Sequence, residues 1–318
     1  PLWVDGRNVV FEDGQIRPQI GQFIYASLPA GCVGLPGTGI IEIIQDNAKA
    51  LFWGTPSRSA DSCQGRLIRW ESPDLSATNV SRDAAIHDTI FSGSGINDIV
   101  VTGTPTADIE QYYEVKIQSG PATNPDKFIW RVITSGTTPG WSEPIELVEV
   151  GSTVALGSDG VLVAWAVNDG HTVDDVWTIP TNPNGYTGTV VWSLAVWGEQ
   201  IVATNGVDRP QIYGYTGATT KFQDLYNVAG GSGLLHTDKA QVFETMGPFV
   251  FMFNLDTNNQ ALRWGDEDSA TVWNPLAANF AGDLVIRGLN SEIKAVSKLG
   301  SVLSVYGEDQ AHGVAFIG

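Results

Sequence analysis

The chain has 318 residues and a formal net charge of −18, from 35 acidic and 17 basic residues. This negative charge argues against a protein that wraps nucleic acid, because such a protein needs clustered Lys and Arg. An acidic surface would, however, let a DNA duplex slide past without binding it. Two cysteines, Cys32 and Cys63, are too few for a disulfide framework, and we expect both to be reduced and buried, as in a cytosol. No apolar run of about eighteen residues occurs, so neither a membrane span nor a signal peptide is predicted.

Residues 1–91 are predicted to form the first part of a β-propeller. Asp5-Gly6 and Asp13-Gly14 stand beside Val, Ile and Phe, which is a hairpin signal. The glycine cluster from Gly31 to Gly39 lacks the Gly-Lys-Ser/Thr ending of a phosphate-binding loop, and a strand-like IIEII follows it. The segment Ser81 to Ile86 is predicted to include a short helical turn.

Residues 92–181 are predicted to be an inserted, small β-sandwich-like module that projects outward. Their alternating apolar and polar residues indicate strands with one buried face. The module holds 12 acidic and 3 basic residues, a net charge of −9. SGSG (92–95) and PTNPNG (180–185) are its expected hinges. The five predicted strands are YYEVKI (112–117), KFIWRVI (127–133), PIELVEV (144–150), VLVAWAV (161–167) and DDVWTI (174–179).

One segment of the module, NDGHTVDDVWTI, concentrates possible cation ligands: Asp169, His171, Asp174 and Asp175. Their spacing matches no standard ligand pattern. We therefore interpret the segment as a polar turn with carboxylates facing solvent, and no metal site is predicted.

Residues 182–318 are predicted to contain the remaining propeller blades. Three segments repeat the order strand, glycine, apolar strand, polar loop, strand: Trp192 to Tyr215, Val242 to Trp264 and Ala295 to Ile317. A fainter copy runs from Ile40 to Trp70. A period of about fifty residues with several short strands per unit is typical of a β-propeller. Roughly four blades are visible, fewer than a closed ring needs, so we expect further blades beyond Gly318.

No catalytic, cofactor-binding or metal-binding residue is predicted. The four histidines, His87, His171, His236 and His312, are scattered, and no Gly-x-Ser-x-Gly elbow occurs. Ser158-Asp159-Gly160 is the nearest approach to the Asp box of sialidase-type propellers, but it lies in the module. Four tryptophans that could line a sugar site occupy strand positions, where they are more often core: Trp53, Trp70, Trp197 and Trp264.

Four segments carry a resemblance to a known family: VDGRNVVFEDGQIRPQIG, WGEQIVATNGVDRPQIY, LRWGDEDSATVWNP and VSKLGSVLSVYGEDQAHGVAFIG. As a set they resemble the nozzle (distal tail tube) proteins of short-tailed bacteriophages. The inserted module is similar to small β modules of phage structural proteins. The resemblance implies a non-enzymatic structural protein of the virion tail, made in the host bacterial cytoplasm and assembled as a hexameric ring. Its expected partners are other copies of itself, tail adaptor proteins, tail fibres or spikes, and DNA that passes through the lumen without specific binding.

Two other functions remain open at this point. One is a carbohydrate-binding adhesin acting in host attachment, suggested by the aromatic content and the projecting module. The other is a glycan-cleaving propeller enzyme. Such an enzyme would need two carboxylates that face each other, and no repeat has such a pair at a distinctive position in its sequence. If the chain lines a conduit, we expect the acidic loops Asp266 to Asp268 and Glu308-Asp309 to face the channel or a neighbouring subunit.

Overall fold

A computed structural model describes residues 9–12, 15–18, 38–45, 48–55, 57, 65–71, 76–120, 125–134, 138–147, 150–188, 191–214, 220–228 and 233–315. Cys32, Cys63, the two predicted Asp-Gly turns and residues 31–37 of the glycine cluster lie outside these ranges. Within them, no helix is long and apolar enough to cross a membrane.

The described chain is nearly all β, so the prediction of an all-β fold is confirmed. One short helix occurs in the described ranges, α1 (Leu225–Val228). The strands in chain order are β1 (Val9–Glu12), β2 (Gln15–Pro18), β3 (Thr38–Gln45), β4 (Ala48–Thr55), β5 (Arg66–Glu71), β6 (Ser76–Asn79), β7 (Ala85–Ile86), β8 (Ile90–Ser92), β9 (Ile99–Gly103), β10 (Gln111–Ser119), β11 (Lys127–Thr134), β12 (Ile145–Glu146), β13 (Val154–Ala155), β14 (Val161–Trp165), β15 (Val176–Asn182), β16 (Ser193–Trp197), β17 (Gln200–Thr204), β18 (Gln211–Tyr213), β19 (Gln223–Asp224), β20 (Ala240–Met246), β21 (Phe249–Leu255), β22 (Asn258–Trp264), β23 (Gly282–Val285), β24 (Ala295–Leu299), β25 (Val302–Tyr306) and β26 (Ala311–Ala315).

Four sheets have their strands side by side in chain order, all antiparallel. Sheet 1 is β3-β4-β5-β6, sheet 2 is β16-β17-β18-β19, sheet 3 is β20-β21-β22-β23, and sheet 4 is β24-β25-β26. They correspond to the four repeats read from the sequence. The first strands of successive sheets lie next to one another, β3 beside β16, β16 beside β20, and β20 beside β24.

The first hairpins of sheets 2, 3 and 4 share one turn. Each has a two-residue loop that begins with glycine, because Trp197 pairs with Gln200, Met246 with Phe249 and Leu299 with Val302. The three glycines have φ of +60°, +58° and +63°. Left-handed glycine at the first loop position is what a type II′ turn requires, and Pro248 at the second position of the sheet 3 loop excludes type I′, which needs positive φ at both.

Three hydrophobic cores lie between consecutive sheets. Alternate residues of a strand point to opposite faces. The strand after each hairpin turn therefore contributes side chains to the cores on both sides of its sheet. In sheet 2, Ile201 and Ala203 pack on sheet 1, whereas Val202 packs on sheet 3. In sheet 3, Val250 and Met252 face sheet 2, whereas Phe249, Phe251 and Phe253 face sheet 4. The continuous apolar runs IVA and FVFMF are therefore explained by burial on both faces.

The inserted region forms a fourth core of its own, between sheet 1 and sheet 2 in the chain. One sheet runs β12-β11-β10-β15-β7, with β8 also paired to β15, and a second runs β13-β14-β9. Trp165 of β14 and Trp177 of β15 are both buried, and the Trp165 ring lies 4.4 Å from that of Phe128. The core consists of residues from 86 to 179. The strand β7, which precedes residue 92, and the strand β8, which ends at it, both pair with β15 of the predicted module.

The five strands predicted for the module are present, although their ends differ from the predicted ones. In the described part of the predicted strand 144–150, Ile145–Glu146 is the segment that pairs, and β9 and β13 were not predicted. The helical turn predicted for Ser81 to Ile86 is wrong. Val80 N–H donates to the Leu67 carbonyl, and Ser81 Oγ accepts from Leu67 N–H at 2.8 Å, so this segment is held extended along sheet 1.

Candidate functional site: a charged joint and an adjacent pocket

Five charged side chains meet where the inserted module contacts sheet 2, and we call them the joint: Arg82, Glu110, Asp208, Arg209 and Asp224. They come from the connection before β7, the residue before β10, the turn between β17 and β18, and β19. All are 1–3 % exposed except Glu110, whose side chain is 11 % exposed. Such burial of charge is tolerated only when the charges pair and hydrogen-bond.

Arg82 is the centre of the joint. Its Nη1 donates to Glu110 Oε1 and to Asp224 Oδ1, both at 2.8 Å, and its Nη2 lies 3.4 Å from Asp208 Oδ1. Its Nε donates to the Gly185 carbonyl at 3.1 Å, and the guanidinium carbon lies 4.9 Å from the centre of the Tyr186 ring. One arginine therefore connects the module, the segment that leaves it, and sheet 2.

Arg209 makes the second set of connections. Its backbone N–H donates to Glu110 Oε1 at 2.9 Å, and its Nη1 lies 3.3 Å from Asp224 Oδ2. Its Nε donates to the His236 carbonyl at 2.7 Å, which reaches the segment that enters sheet 3. His87 Nε2 lies 3.0 Å from the same Asp224 oxygen. The joint thus ties the module to both sheet 2 and sheet 3.

Asp208 fixes the chain where it leaves the module. Its carboxylate accepts backbone N–H groups of Thr187 at 2.9 Å and Gly188 at 3.0 Å, and the Thr187 hydroxyl at 2.8 Å. Asn205 Nδ2 donates to it at 2.7 Å. The predicted hinge at 180–185 is consequently followed by a segment that is anchored to sheet 2.

The joint is charged at neutral pH. Burial alone would raise the pKa of Asp224, but Arg82, then His87 and Arg209, hold it well below its usual value. Burial opposes the charge of Arg82, yet Asp224, Glu110 and Asp208 raise its pKa. Two guanidiniums against three carboxylates leave one negative charge, and Lys239 Nζ lies 3.8 Å from Glu110 Oε2.

A pocket of about 450 Å³ lies beside the joint, between the module and sheets 2 and 3. Its polar lining includes Glu110, Tyr112, Arg209, His236, Lys239 and Asp256. Burial, and then the nearby positive charge of Arg209, lowers the pKa of His236, so its imidazole is neutral at pH 7. Its Nδ1 is buried and has no hydrogen-bond partner in the described residues. Pockets of this size that combine polar groups with a perturbed titratable residue are the usual places to look for ligand binding.

The residues considered as cation ligands have separate roles. His171 is buried between two carboxylates, with Nδ1 3.0 Å from Asp126 Oδ2 and Nε2 2.9 Å from Asp98 Oδ1. Asp175 is buried and accepts N–H groups of Ser94 at 3.0 Å and Thr172 at 3.1 Å.

The two remaining members of that set are exposed, Asp169 and Asp174, and Asp174 pairs with Lys116 at 3.0 Å. The interpretation of solvent-facing carboxylates therefore fits these two residues and is wrong for Asp175. No group of His, Cys, Asp and Glu suited to a metal ion occurs in the described ranges.

The other residues singled out in the sequence are spread over the molecule. His87 adjoins the joint, His236 lines the pocket, and His312 lies in β26. Ser158-Asp159-Gly160 forms the turn between β13 and β14. The four tryptophans expected in strands lie in β4, β5, β16 and β22.

Sequence reasoning missed the joint because its members are far apart in the chain: 28 residues separate Arg82 from Glu110, and 142 separate Arg82 from Asp224. No local pattern links them. One local sign was available: Arg82, Asp208 and Arg209 stand in turns beside apolar strands. A single charge in a turn does not by itself indicate a site, so this sign was too weak to be used. No protein-family model and no curated protein sequence matches the chain.

Proposed function

We propose that the chain is a structural component of a bacteriophage tail, a nozzle-type protein built on a β-propeller. In this proposal it assembles as a homo-oligomeric ring, a hexamer, at the distal end of the tail. The ring conducts or gates DNA and carries fibres or spikes, it contacts tail adaptor proteins, and it performs no catalysis. The protein is made in the host cytoplasm and ends in the virion.

The observation that carries the proposal is the stacking of four like sheets. Each has its strands in chain order, the first strands are neighbours, and a core lies between each consecutive pair. This is the arrangement by which propeller blades bury their faces on one another. The resemblance of the repeat segments to nozzle proteins supports the same function.

The joint supports the role of the module as a rigid arm. A module that carries fibres or spikes must transmit force, and a hinge of glycine and proline alone would not. Arg82 and Arg209 connect the module to two sheets through buried, charge-assisted hydrogen bonds, which are stronger and more directional than neutral ones. The orientation of the arm is thereby fixed by side chains from both parts.

The charge supports passage of DNA without binding. A net charge of −18 repels phosphate. In the two acidic loops, Glu267, Asp268, Glu308 and Asp309 are exposed. The first loop follows β22, the third strand of its sheet, and the second follows β25, the second strand of its sheet. Because successive strands are antiparallel, the two loops lie at opposite ends of the sheets, and in this proposal each faces the channel or a neighbouring subunit.

The test of this function is the assembly state of the purified chain. Negative-stain electron microscopy and light scattering should show a closed ring with a central hole and a mass of several subunits. A chain that stays a monomer and is never incorporated into particles would end the proposal.

The pocket favours a second candidate function, a carbohydrate-binding adhesin acting in host attachment. A neutral imidazole, a phenol, an ammonium and carboxylates offer both donors and acceptors to sugar hydroxyls. Pocket volumes of about 300 to 1,000 Å³ suit small ligands. A glycan array should then show binding that Tyr112→Ala and Asp256→Asn weaken and Tyr306→Ala, in sheet 4, does not. Absence of binding at millimolar sugar would exclude this function.

A further inference from the structure

Glu110 has one carboxylate oxygen that the joint leaves without a hydrogen bond. Its Oε1 accepts from Arg82 Nη1 at 2.8 Å and from the Arg209 backbone N–H at 2.9 Å. Its Oε2 lies 3.8 Å from Lys239 Nζ and 4.0 Å from Arg209 Nε, and both distances are longer than a hydrogen bond. The side chain is 11 % exposed and lines the pocket. A largely buried carboxylate oxygen is thus left for a ligand that can donate to it.

Asp256 adds a second carboxylate on another wall of the pocket. It belongs to the turn between β21 and β22, it is exposed, and its Oδ1 accepts the Lys239 backbone N–H at 3.3 Å. Among the described residues, no hydrogen bond reaches its other oxygen. The Lys239 ammonium itself donates to the Val207 carbonyl. The lining therefore offers acceptors to a cation and already holds one ammonium in this way.

The charge around the pocket disfavours an anionic ligand. The joint has one negative charge in excess, Lys239 offsets it, and Asp256 restores it. The guanidinium of Arg209 is 2 % exposed and is engaged by Asp224 and the His236 carbonyl, so little of its charge reaches a ligand. The imidazole of His236 is neutral at pH 7. Phosphate, sulfate and carboxylate ligands are therefore repelled, and the chain's net charge of −18 adds to this.

The rest of the lining suits an apolar or aromatic group. Val207 is 41 % exposed at the pocket. The Tyr112 ring packs edge-on against the His236 imidazole, with the ring centres 5.2 Å apart, and tyrosine rings attract organic cations. The volume of about 450 Å³ is enough for a small organic molecule.

We propose that the pocket binds a small organic cation, in which one ammonium or guanidinium group is joined to an apolar or aromatic stem. The cationic group donates to Glu110 Oε2 and to Asp256 in charge-assisted hydrogen bonds, and the stem lies on Val207 and Tyr112. Because the walls come from the module, sheet 2 and sheet 3, the bound cation also ties these three parts together. The site depends on neither the tail function nor the sugar-binding function.

Isothermal titration calorimetry of the full chain at low ionic strength compares three probes of similar shape: benzylammonium, benzyl alcohol and benzoate. Benzylammonium should bind saturably, the neutral alcohol about tenfold more weakly, and the anion not at all. Equal or stronger binding of the alcohol or of benzoate, or no binding of benzylammonium, would overturn the proposal. Tighter binding of N-acetyl-lysine methylamide than of benzylammonium would also overturn it, because the occupant would then be a basic side chain of a partner polypeptide.

Asp256→Asn changes an exposed side chain, so it tests the site without disturbing the fold. It should weaken the binding of benzylammonium about tenfold, because a charge-assisted hydrogen bond is lost. The control is Glu267→Gln, which makes the same change of net charge in an exposed loop at the other end of sheet 3 and should leave the affinity unchanged. Equal affinities of the Asp256 variant and the unaltered chain would overturn the proposal.

Lys239→Met gives a result of opposite sign for cations and anions. It should strengthen the binding of benzylammonium several-fold, because it removes a like charge and frees the Val207 carbonyl. In a pocket built for anions, the same variant would weaken binding of the ligand. Weaker binding of benzylammonium by a Lys239 variant whose thermal midpoint shows that it is folded would overturn the proposal.

Discussion

Arg82 and Asp224 form an ion pair of 2.8 Å although they are 142 residues apart, and their side chains are only 3 % and 1 % exposed. One belongs to the connection into the module and the other to the outermost strand of sheet 2. The pair is therefore a direct contact between the connection into the module and sheet 2.

Replacing Arg82 by Ala should lower the free energy of unfolding by about 3 to 5 kcal/mol, because it leaves buried carboxylates without their partner. Urea denaturation followed by tryptophan fluorescence would measure the loss. Lys294→Ala, which breaks an exposed pair with Glu292, is the control and should not shift the midpoint. A loss below about 1 kcal/mol for the Arg82 variant would contradict the role assigned to the joint.

The depressed pKa of Asp224 predicts acid sensitivity with a defined sign. The unfolded side chain has a pKa of about 3.9, and the folded one lies well below it. The stabilisation that the ionised Asp224 contributes to the folded state is therefore complete above about pH 4. It is lost as the pH falls below this value, and the free energy of unfolding then drops by up to about 1.4 kcal/mol per pH unit. Asp224→Asn should be less stable at pH 7 but show a shallower loss below pH 4. Parallel pH profiles of the two proteins would count against this.

Replacing any one of the three hairpin glycines by alanine should lower the free energy of unfolding by the same amount. Gly247 has φ of +58° and nothing within 4 Å of an added Cβ, so Gly247→Ala introduces only backbone strain, about 1 to 2 kcal/mol. Gly198→Ala and Gly300→Ala should cost the same.

The control for the hairpin series is Gly140→Ala. Gly140 also has open space for a Cβ, but its φ lies outside the left-handed range, so the change should be neutral or slightly stabilising. Thermal unfolding would measure all four. Unequal costs among the three hairpin glycines would argue that the turns are not equivalent.

His171 should be important for the module core. His171→Ala removes the partner that lies between Asp98 and the buried Asp126, and the ring that packs 6.0 Å from Trp177. We expect a loss of about 3 kcal/mol. Val173→Ala, at an exposed neighbour in the same loop, should have little effect. Near-ultraviolet circular dichroism would show whether the environment of Trp177 changes, and an unaltered, equally stable variant would refute the expectation.

The regular parts of the fold could be predicted because their signals are local. The glycines Gly198, Gly247 and Gly300 mark turns that need positive φ, and the alternation in β10 marks a strand with one buried face. The helical turn predicted near Ser81 was wrong because the contacts that decide this segment are not local. The hydrogen bonds of Leu67 with Val80 N–H and with the Ser81 hydroxyl outweigh a weak local preference, and both depend on the neighbouring strand β5 rather than on residues within the segment.

The sequence by itself therefore determined the all-β class, the repeated hairpins and the existence of a differently patterned insertion, because short-range backbone sterics and side-chain alternation specify them. Only the tertiary structure decided that Arg82, Glu110, Asp208, Arg209 and Asp224 meet. Buried charges attract at short distance in a medium of low polarity, and that distance is set by the packing of sheets rather than by any neighbour in the chain.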